Sequence, residues 1–588
     1  MKLSFRSFFQ VYRNTIFFAI TLFLITIVSF FNSLSRPILY LDESSYLHRG
    51  VLIVEEKRVP SVPDSVGVSL IHALSYLLVR DHPLGVDFAG RITAFVSSLV
   101  MYIGIFLSVR RELGNFYGFL AAFMSLTYFP TYNLNRNSSD MLFAVCESIL
   151  LFLLVSLNPR VILHLVVLST VTAITTLVRN DGFLVFFGFS ILIYIYLHRS
   201  LNRLSFKYFT AGWIIPYSGI ILLVAFVSWR TTGVFEILPG SRTYIAFEQG
   251  SGLVRRFELE QQGKNPWIEG SRISEQLFGS SRDNENNVLR AVLNNPKAYV
   301  QRVIYNIRDF FLRWFEVHNG RIAVPVLLLT WFGFVTLLAK QKIFLFLSVC
   351  CFLFSTSPYF FLTFWRDGYI AMHAPLVIFL SVYAISQLPF TYSRLFKIFT
   401  GSFAVSLLLT MVILTSVYSG LLYCNWQGPI DGISSSEILG AILVLFTFLT
   451  PHRRKQLIWK TAGIFLVIGI WIGSIEALDL ALSDKSRESK LNYTYVQNAR
   501  RNYIQFAFEN FRNTRVCTRD PSLPYYARQR PVLFYDSEIN IQELADKYSC
   551  EYLLLERYEH EKLKISNKLN LLFNEYEIAF IRLKISNK

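Results

Sequence analysis

The sequence predicts a polytopic α-helical membrane protein with a small C-terminal extracytoplasmic α/β domain. Three observations lead there. Of 588 residues, 53% are hydrophobic and only 16% are Asp, Glu, Lys or Arg, against about 25% charge in an ordinary soluble domain. Apolar runs of about 17–22 residues, long enough to cross a bilayer, recur along the chain. The basic residues also sort to one side of those runs. Phe, Tyr and Trp make up 16% of the chain, which suits lipid-facing and interfacial surface.

Thirteen candidate spans begin near Thr15, Phe88, Asn115, Ser139, Val161, Gly182, Phe209, Ile322, Ile343, Gly368, Ile398, Ile438 and Trp459. Ragged ends on three of them widen the count to between eleven and fourteen. With a cytoplasmic N-terminus and strict alternation, the inside segments hold 17 basic residues and one acid, Glu112. The short outside turns hold three basic residues, Arg136, Arg179 and Arg366. This is the positive-inside asymmetry. It accounts for most of the net charge of +17 and leaves no call for a nucleic-acid partner. The run from Thr15 to Phe31 has no small-residue cleavage site after it, so it reads as a retained helix and not a signal peptide.

Three outside regions are too long to be turns: about 33–87, about 230–321, and a tail from 483 to 588. The division expected is therefore a membrane part over 1–482 and a C-terminal domain over 483–588. Long loops on one face are where ligand chemistry is usually placed. In the second region, 288–293 and 298–311 have the spacing of interfacial amphipathic helices. In the tail, 515–518, 531–535, 552–556 and 576–583 read as strands, and 539–548 and 558–573 as helices. Six cysteines without a CxxC argue against a disulfide framework or a thiolate zinc site. Cys517 and Cys550 either pair in an oxidising compartment or stand as two ordinary strand cysteines.

Candidate chemistry starts at Tyr40-Leu41-Asp42-Glu43-Ser44-Ser45-Tyr46, just outside the first helix. Two adjacent carboxylates there make a poor lipid anchor. An acid near low-dielectric surroundings has its pKa raised, which suits a general base; the plain alternative is a helix start capped by Asp42. Asp140, at the outer start of the fourth span, falls on the same membrane face, again with capping as the alternative. The outer-side cations Lys57, Arg58, Arg91, Arg179 and Arg366 run against the positive-inside bias and each needs a local reason. Arg179 and Arg366 have acids nearby in Asp181 and Asp367. Arg91, inside an apolar helix, has none nearer than Asp87, and a half-buried Arg fits either a phosphate or a structural partner. His72 and His373 read as packing residues. No P-loop, kinase, HExxH or GxSxG motif occurs, so no nucleotide is expected.

With these residues in hand, the chain resembles the GT-C glycosyltransferase superfamily. The likeness is to the dolichyl-phosphate-mannose-protein mannosyltransferase and lipid A aminoarabinose transferase type. It rests on Asp42-Glu43 with Tyr46, on Phe88-Ala89-Gly90-Arg91-Ile92, and on 114–130 followed by Ser139-Asp140. It rests further on Arg179-Asn180-Asp181-Gly182, on Arg366 ahead of Pro375, and on the tail segment 518–526. The resemblance implies inverting transfer from a polyprenyl-phosphate-linked sugar to a lipid, glycan or protein hydroxyl, in a bacterial inner membrane. It implies Asp42 as general base, Glu43 as its orienting partner and Asp140 as support. Lys57, Arg58, Arg91, Arg179 and Arg366 would then serve the donor phosphate. Relatives carry a Lys-Pro-Pro-like segment where this chain has Lys57-Arg58-Val59-Pro60. Some members use a divalent cation, Mg or Mn, for which Asp42, Glu43 and Asp140 would be the oxygen ligands. Two other readings stay open: an O-antigen ligase or polymerase acting through the arginines of 230–321, and a lipid-linked glycan transporter. No internal repeat of the kind transporters carry is present.

Overall fold

The computed structural model describes residues 5–34, 42–57, 59, 66–128, 138–158, 161–201, 205–233, 240–262, 264, 266–318, 323–387, 487–518, 522–533, 550–556, 570–575 and 578–582. The spans expected from Ile398, Ile438 and Trp459 lie outside these, as does the helix expected over 539–548.

The architecture is mostly helical. In chain order come α1 (Phe5–Leu34), α2 (Asp42–Glu55), α3 (Val66–Leu77), α4 (Gly85–Leu113), α5 (Asn115–Thr127), α6 (Ser138–Val155), α7 (Ile162–Val178) and α8 (Gly182–Leu201). Next, α9 (Ser205–Phe209) runs through a π turn at Thr210–Ile214 into α10 (Ile215–Thr232). The second long loop folds as α11 (Gly240–Leu253), α12 (Arg256–Gln261), α13 (Pro266–Phe278), α14 (Val288–Asn294) and α15 (Pro296–Val317). Then follow α16 (Ala323–Ala339), α17 (Ile343–Phe354), α18 (Ser357–Phe361), α19 (Asp367–Ala371) and α20 (Ala374–Gln387). The span expected from Gly368 is thus broken at Met372-His373, where α19 ends.

Among the described residues, four segments are long and apolar enough to cross a membrane: Gly85–Leu113, Gly182–Ser200, Phe206–Thr231 and Ile343–Phe361. Their lipid-type surfaces carry exposed Phe187, Ile191, Leu223 and Phe226. The protein is an integral membrane protein. Lipid is as apolar as leucine, so helices of this kind associate through close packing and hydrogen bonds and not through the hydrophobic effect. Several serines and threonines buried in these helices satisfy themselves locally: Ser98 Oγ donates to Ala94 O at 2.8 Å and Thr172 Oγ1 to Leu168 O at 2.8 Å, while Ser169 Oγ donates across to Trp213 O. Close packing is tightest where α16 meets α20. A Cβ on Gly333 would lie 2.0 Å from the Leu380 carbonyl oxygen.

The C-terminal region supplies α21 (Arg487–Asn510), β1 (Arg515–Thr518), α22 (Ser522–Tyr526), β2 (Arg530–Leu533), β3 (Tyr552–Glu556), β4 (Asn570–Glu575) and β5 (Ile578–Arg582). The strands form one sheet in the order β2-β1-β3-β5-β4. β1 runs parallel to β2, with Arg515 opposite Arg530, and parallel to β3, with Val516 opposite Tyr552. β5 runs antiparallel to both β3 and β4. Residues 570–573, expected in a helix over 558–573, are strand instead. Leu571-Leu572-Phe573 is a continuous apolar run that fits a helix or a strand by itself, and pairing with β5 makes it strand. Cys517 and Cys550 are joined in a disulfide.

The apolar core of this sheet is not its own. Tyr503, Val516, Leu523, Tyr526, Leu554 and Phe580 share one cluster with Leu47 and Val51 of α2, Tyr76 of α3, and Val86 and Ala89 of α4.

Gly333→Ala is expected to destabilise the membrane part by about 1–3 kcal/mol, because backbone and not a flexible side chain must give way. Thermal unfolding in micelles measures it; an unchanged midpoint would show that α16 and α20 are not in this close contact.

Candidate functional site

Two buried polar clusters hold most of the residues singled out from the sequence. The first is built on Arg179, which sits in extended backbone between α7 and α8. Its guanidinium ion-pairs with Asp140 from the first turn of α6 and, through Nε, with Asp181 Oδ2 at 3.0 Å. Nη2 donates to the Tyr359 hydroxyl of α18 at 2.7 Å, and that hydroxyl in turn donates to Asp181. Tyr369 of α19 lies with its ring 4.7 Å from the guanidinium carbon and 4.4 Å from the Tyr359 ring. Arg366 also lies near this ring, its guanidinium carbon 5.8 Å from the Tyr369 centroid. Asp140 is only 1% exposed.

Such a cluster is stable because each carboxylate is paired: the guanidinium's fork matches two acceptors at once. Burial pulls the Arg179 pKa down, but Tyr359, Asp140 and Asp181 together hold it well above the usual arginine value. The expected local pair of Arg179 with Asp181 is present, and Asp140 joins it from a separate helix. Asp367 behaves differently. It pairs with Arg313 of α15 at 3.3 Å.

The second cluster surrounds the start of α2. Asp42 opens the helix, and its carboxylate lies outside the described residues. Glu43 is 3% exposed and faces His72 Nε2 at 3.5 Å. His72 Nδ1 contacts Thr93 Oγ1 at 3.1 Å, and Ser75 Oγ contacts the same hydroxyl at 2.8 Å. His72 is buried, 1% exposed, and its ring fills the space between Glu43 and Thr93. Gly50 makes this possible: a Cβ there would be 3.0 Å from Ala73 N, so α2 lies directly on α3. The chain of close contacts continues. A Cβ on Gly67 of α3 would be 2.7 Å from the Leu177 carbonyl carbon, two residues before Arg179. Helix α3 thus packs between the Glu43 cluster and the Arg179 cluster.

The cations separate into engaged and exposed. Arg91 Nε pairs with fully buried Asp87 at 2.9 Å, and its Nη1 donates to the Ser33 and Leu34 carbonyls at the end of α1. Arg501 of α21 reaches the same Asp87 oxygen at 3.8 Å. Lys57 is exposed, with a left-handed backbone (φ 51°) just past α2. Arg58 lies outside the described residues.

One further residue, Glu147, was missed from the sequence, and it meets His373. Glu147, fully buried in α6 two turns beyond Asp140, contacts His373 Nδ1 at 2.8 Å from the break between α19 and α20. A lone acid within an apolar helix is itself the signal for such a pair. Among the described residues, no group of three His, Cys, Asp or Glu side chains gathers to hold a metal ion.

No protein-family model matches the chain, and no curated protein matches it significantly. Two solved structures are similar to it over most of its length. ArnT from Cupriavidus metallidurans bound to undecaprenyl phosphate is similar over 96% of this chain and 97% of its own, at 13% identity and a TM-score of 0.48. The Archaeoglobus fulgidus oligosaccharyltransferase tethered to an acceptor peptide with the NVT sequon covers 94% of this chain and 70% of its own, at 11% identity and a TM-score of 0.45.

Arg179→Ala is expected to cost about 3–5 kcal/mol of stability, since it strands two carboxylates in a dry site. Tyr359→Phe removes one hydroxyl and should cost about 1 kcal/mol. Equal effects of the two, measured by thermal unfolding, would mean that Arg179 is not the centre of the cluster. A second expectation concerns His48 of α2, whose pKa burial, with Arg49 adding to it against Glu55, pushes down to about 4. The unfolded chain takes up this proton near pH 6.5 and the folded chain only near pH 4, so stability falls as pH drops through that window. His48→Gln should flatten the wild-type slope of unfolding midpoint between pH 6.5 and 4.5; parallel slopes would remove His48 as a source.

Proposed function

We propose that the protein is an inverting glycosyltransferase of the GT-C kind, moving a sugar from a polyprenyl-phosphate donor to an acceptor hydroxyl at the outer membrane face. The observation that carries this reading is the concentration of buried carboxylates at one end of apolar helices. Glu43, on the helix opened by Asp42, is linked through α3 to the Asp140–Arg179–Asp181–Tyr359 cluster. Buried acids at a membrane boundary are costly and mark sites of function.

In the step proposed, Asp42 accepts the proton of the acceptor hydroxyl as its oxygen attacks the anomeric carbon opposite the phosphate. The bond from the anomeric carbon to the phosphate oxygen breaks, configuration inverts, and polyprenyl phosphate leaves with the electron pair. Protonated Asp42 returns its proton to water. Glu43, held by His72, orients the base or acceptor, and Asp140 supports the same site through Arg179. The developing phosphate charge calls for a nearby cation. Of the candidates Lys57, Arg58, Arg91, Arg179 and Arg366, we assign this role to Lys57, which is exposed next to α2. Arg91 and Arg179 are held by Asp87, Asp140 and Asp181 and contribute background field. A divalent cation would fall to Asp42, Glu43 and Asp140. The described residues form no such set, so no step is routed through a metal.

The same reading places the N-terminus in the cytoplasm, about thirteen spans over 1–482, and the region 483–588 outside a bacterial inner membrane. The Cys517–Cys550 disulfide agrees with an oxidising side.

The test is radiolabelled transfer in membranes, with polyprenyl-phosphate sugars in one arm and nucleotide sugars without lipid carrier in the other. Label is expected to move only from the lipid-phosphate donor, and Asp42→Asn to reduce it by about 10²–10⁴-fold at unchanged expression. A wild-type rate in the variant would overturn the base. Transfer from neither donor would return the ligase and transporter readings, starting with the arginines of 230–321.

A further inference from the structure

We infer that the C-terminal region is a positioning element for the site helix, acting through a clamp on one face of α2 that is centred on Glu55. The inference deepens the transferase reading and rests on it.

Helix α2 begins at Asp42 and ends at Glu55, and two of its faces are occupied by different partners. Glu43, Tyr46 and Gly50 follow a three-to-four-residue spacing. Glu43 and Gly50 mark the face laid on α3. Ser44, Leu47, His48, Val51 and Glu55 share the adjacent stripe, and every one of them meets the C-terminal region. Ser44 Oγ donates to Ser522 Oγ at 3.0 Å. Leu47 and Val51 lie in the apolar cluster of Tyr503, Leu523 and Tyr526. His48 stacks on Tyr525, with ring centroids 4.1 Å apart and planes at 15°. At the last turn Glu55 accepts from Arg528 Nη1 at 2.8 Å, from the Tyr76 hydroxyl at 2.7 Å and from Arg512 Nη2 at 3.3 Å.

The backbone supports the same conclusion. Arg528 and Asn513 both have left-handed backbones, φ 55° and 65°, and Asn513 N donates to Arg528 O at 3.0 Å. A residue with a Cβ adopts that conformation only where its surroundings over-determine it. Here it delivers a 6% exposed guanidinium to Glu55 and to the Arg80 carbonyl, while its plane covers the Tyr76 ring at 4.9 Å. Arg501 adds a parallel tie to Asp87 at the root of α4.

The consequence is mechanical. Without the C-terminal region, α2 is held by α3 and α4 alone, and the stripe of Ser44, Leu47, His48, Val51 and Glu55 loses its C-terminal partners, which frees the helix to roll about its axis. A roll displaces Asp42 and Glu43 while leaving the membrane part intact. Misplacement of a reacting group by about 1 Å costs roughly 10²-fold in rate. Arg528 and Glu55 are therefore positioning residues, which never meet the substrate.

The experiment uses the full chain in membranes. Arg528→Ala combined with Arg512→Ala is expected to lower kcat by about 10–100-fold, with the KM for the lipid-phosphate donor within about twofold of wild type. Arg528→Lys should recover part of the loss. The decisive arm adds Ser44→Cys and Ser522→Cys, whose side chains are close enough to join. Oxidation should restore kcat in the double-alanine background to within about threefold of a cross-linked control. Reduction should remove that gain, with reduced wild type controlling for the native disulfide. The cross-link also reads the clamp without activity: it should form readily in wild type and slowly in Glu55→Gln or the double-alanine variant. A wild-type kcat in the double-alanine variant, no rescue in a well-folded cross-linked protein, or equal cross-linking rates in all backgrounds would each overturn the clamp. Efficient cross-linking in a protein that transfers nothing would instead leave the clamp standing and sink the transferase reading.

Discussion

The ion cluster at Arg179 is the constraint on which the helix ends around it depend. In a helix bundle surrounded by lipid, apolar contact alone gives little preference for one arrangement over another. A buried guanidinium with three oxygen partners from α6, the α7–α8 turn and α18 admits one arrangement, because any slip of a helix leaves a charge unpaired at a cost of several kcal/mol. Asp140, Asp181 and Tyr359 thereby fix the ends of four helices relative to each other. Glu147 and His373 repeat the device two turns deeper, tying α6 to the break between α19 and α20.

This frame carries the short helices α2 and α3. Gly67 lets α3 approach the backbone beside Arg179, and Gly50 lets α2 lie on α3, so the two acids at the start of α2 are referenced to the cluster through backbone contacts. Flexible side chains would transmit such a reference poorly. The C-terminal sheet then closes over the remaining face of α2, sharing a core with it. The sheet and the first loop are one packed unit built from chain segments more than 400 residues apart, which accounts for apolar residues on α2 that face no lipid.

The cations show how burial changes what a charge does. Arg91 and Arg179 look, as isolated letters, like equal candidates for a phosphate, and both prove to be engaged by buried carboxylates. Lys57 has no such partner among the described residues and remains exposed. The pairing follows from cost: an arginine that cannot reach water must find acceptors within the protein, and Asp87 and Asp140 supply them.

Much of this was legible in the amino-acid order. Long apolar runs, the one-sided basic residues, the acids at 42, 43 and 140 and the strands at 515–518 and 552–556 are properties of local sequence, since hydropathy, charge and period act over a few residues. Only the tertiary structure decided that Asp140 meets Arg179, that Glu43 meets His72, that Glu147 meets His373, and that residues 570–573 are strand. Each of these depends on a partner contributed by a distant segment, and the free energy of a buried charge or a strand edge is set by that partner. Local sequence shows the need for a partner; the fold selects which one meets it.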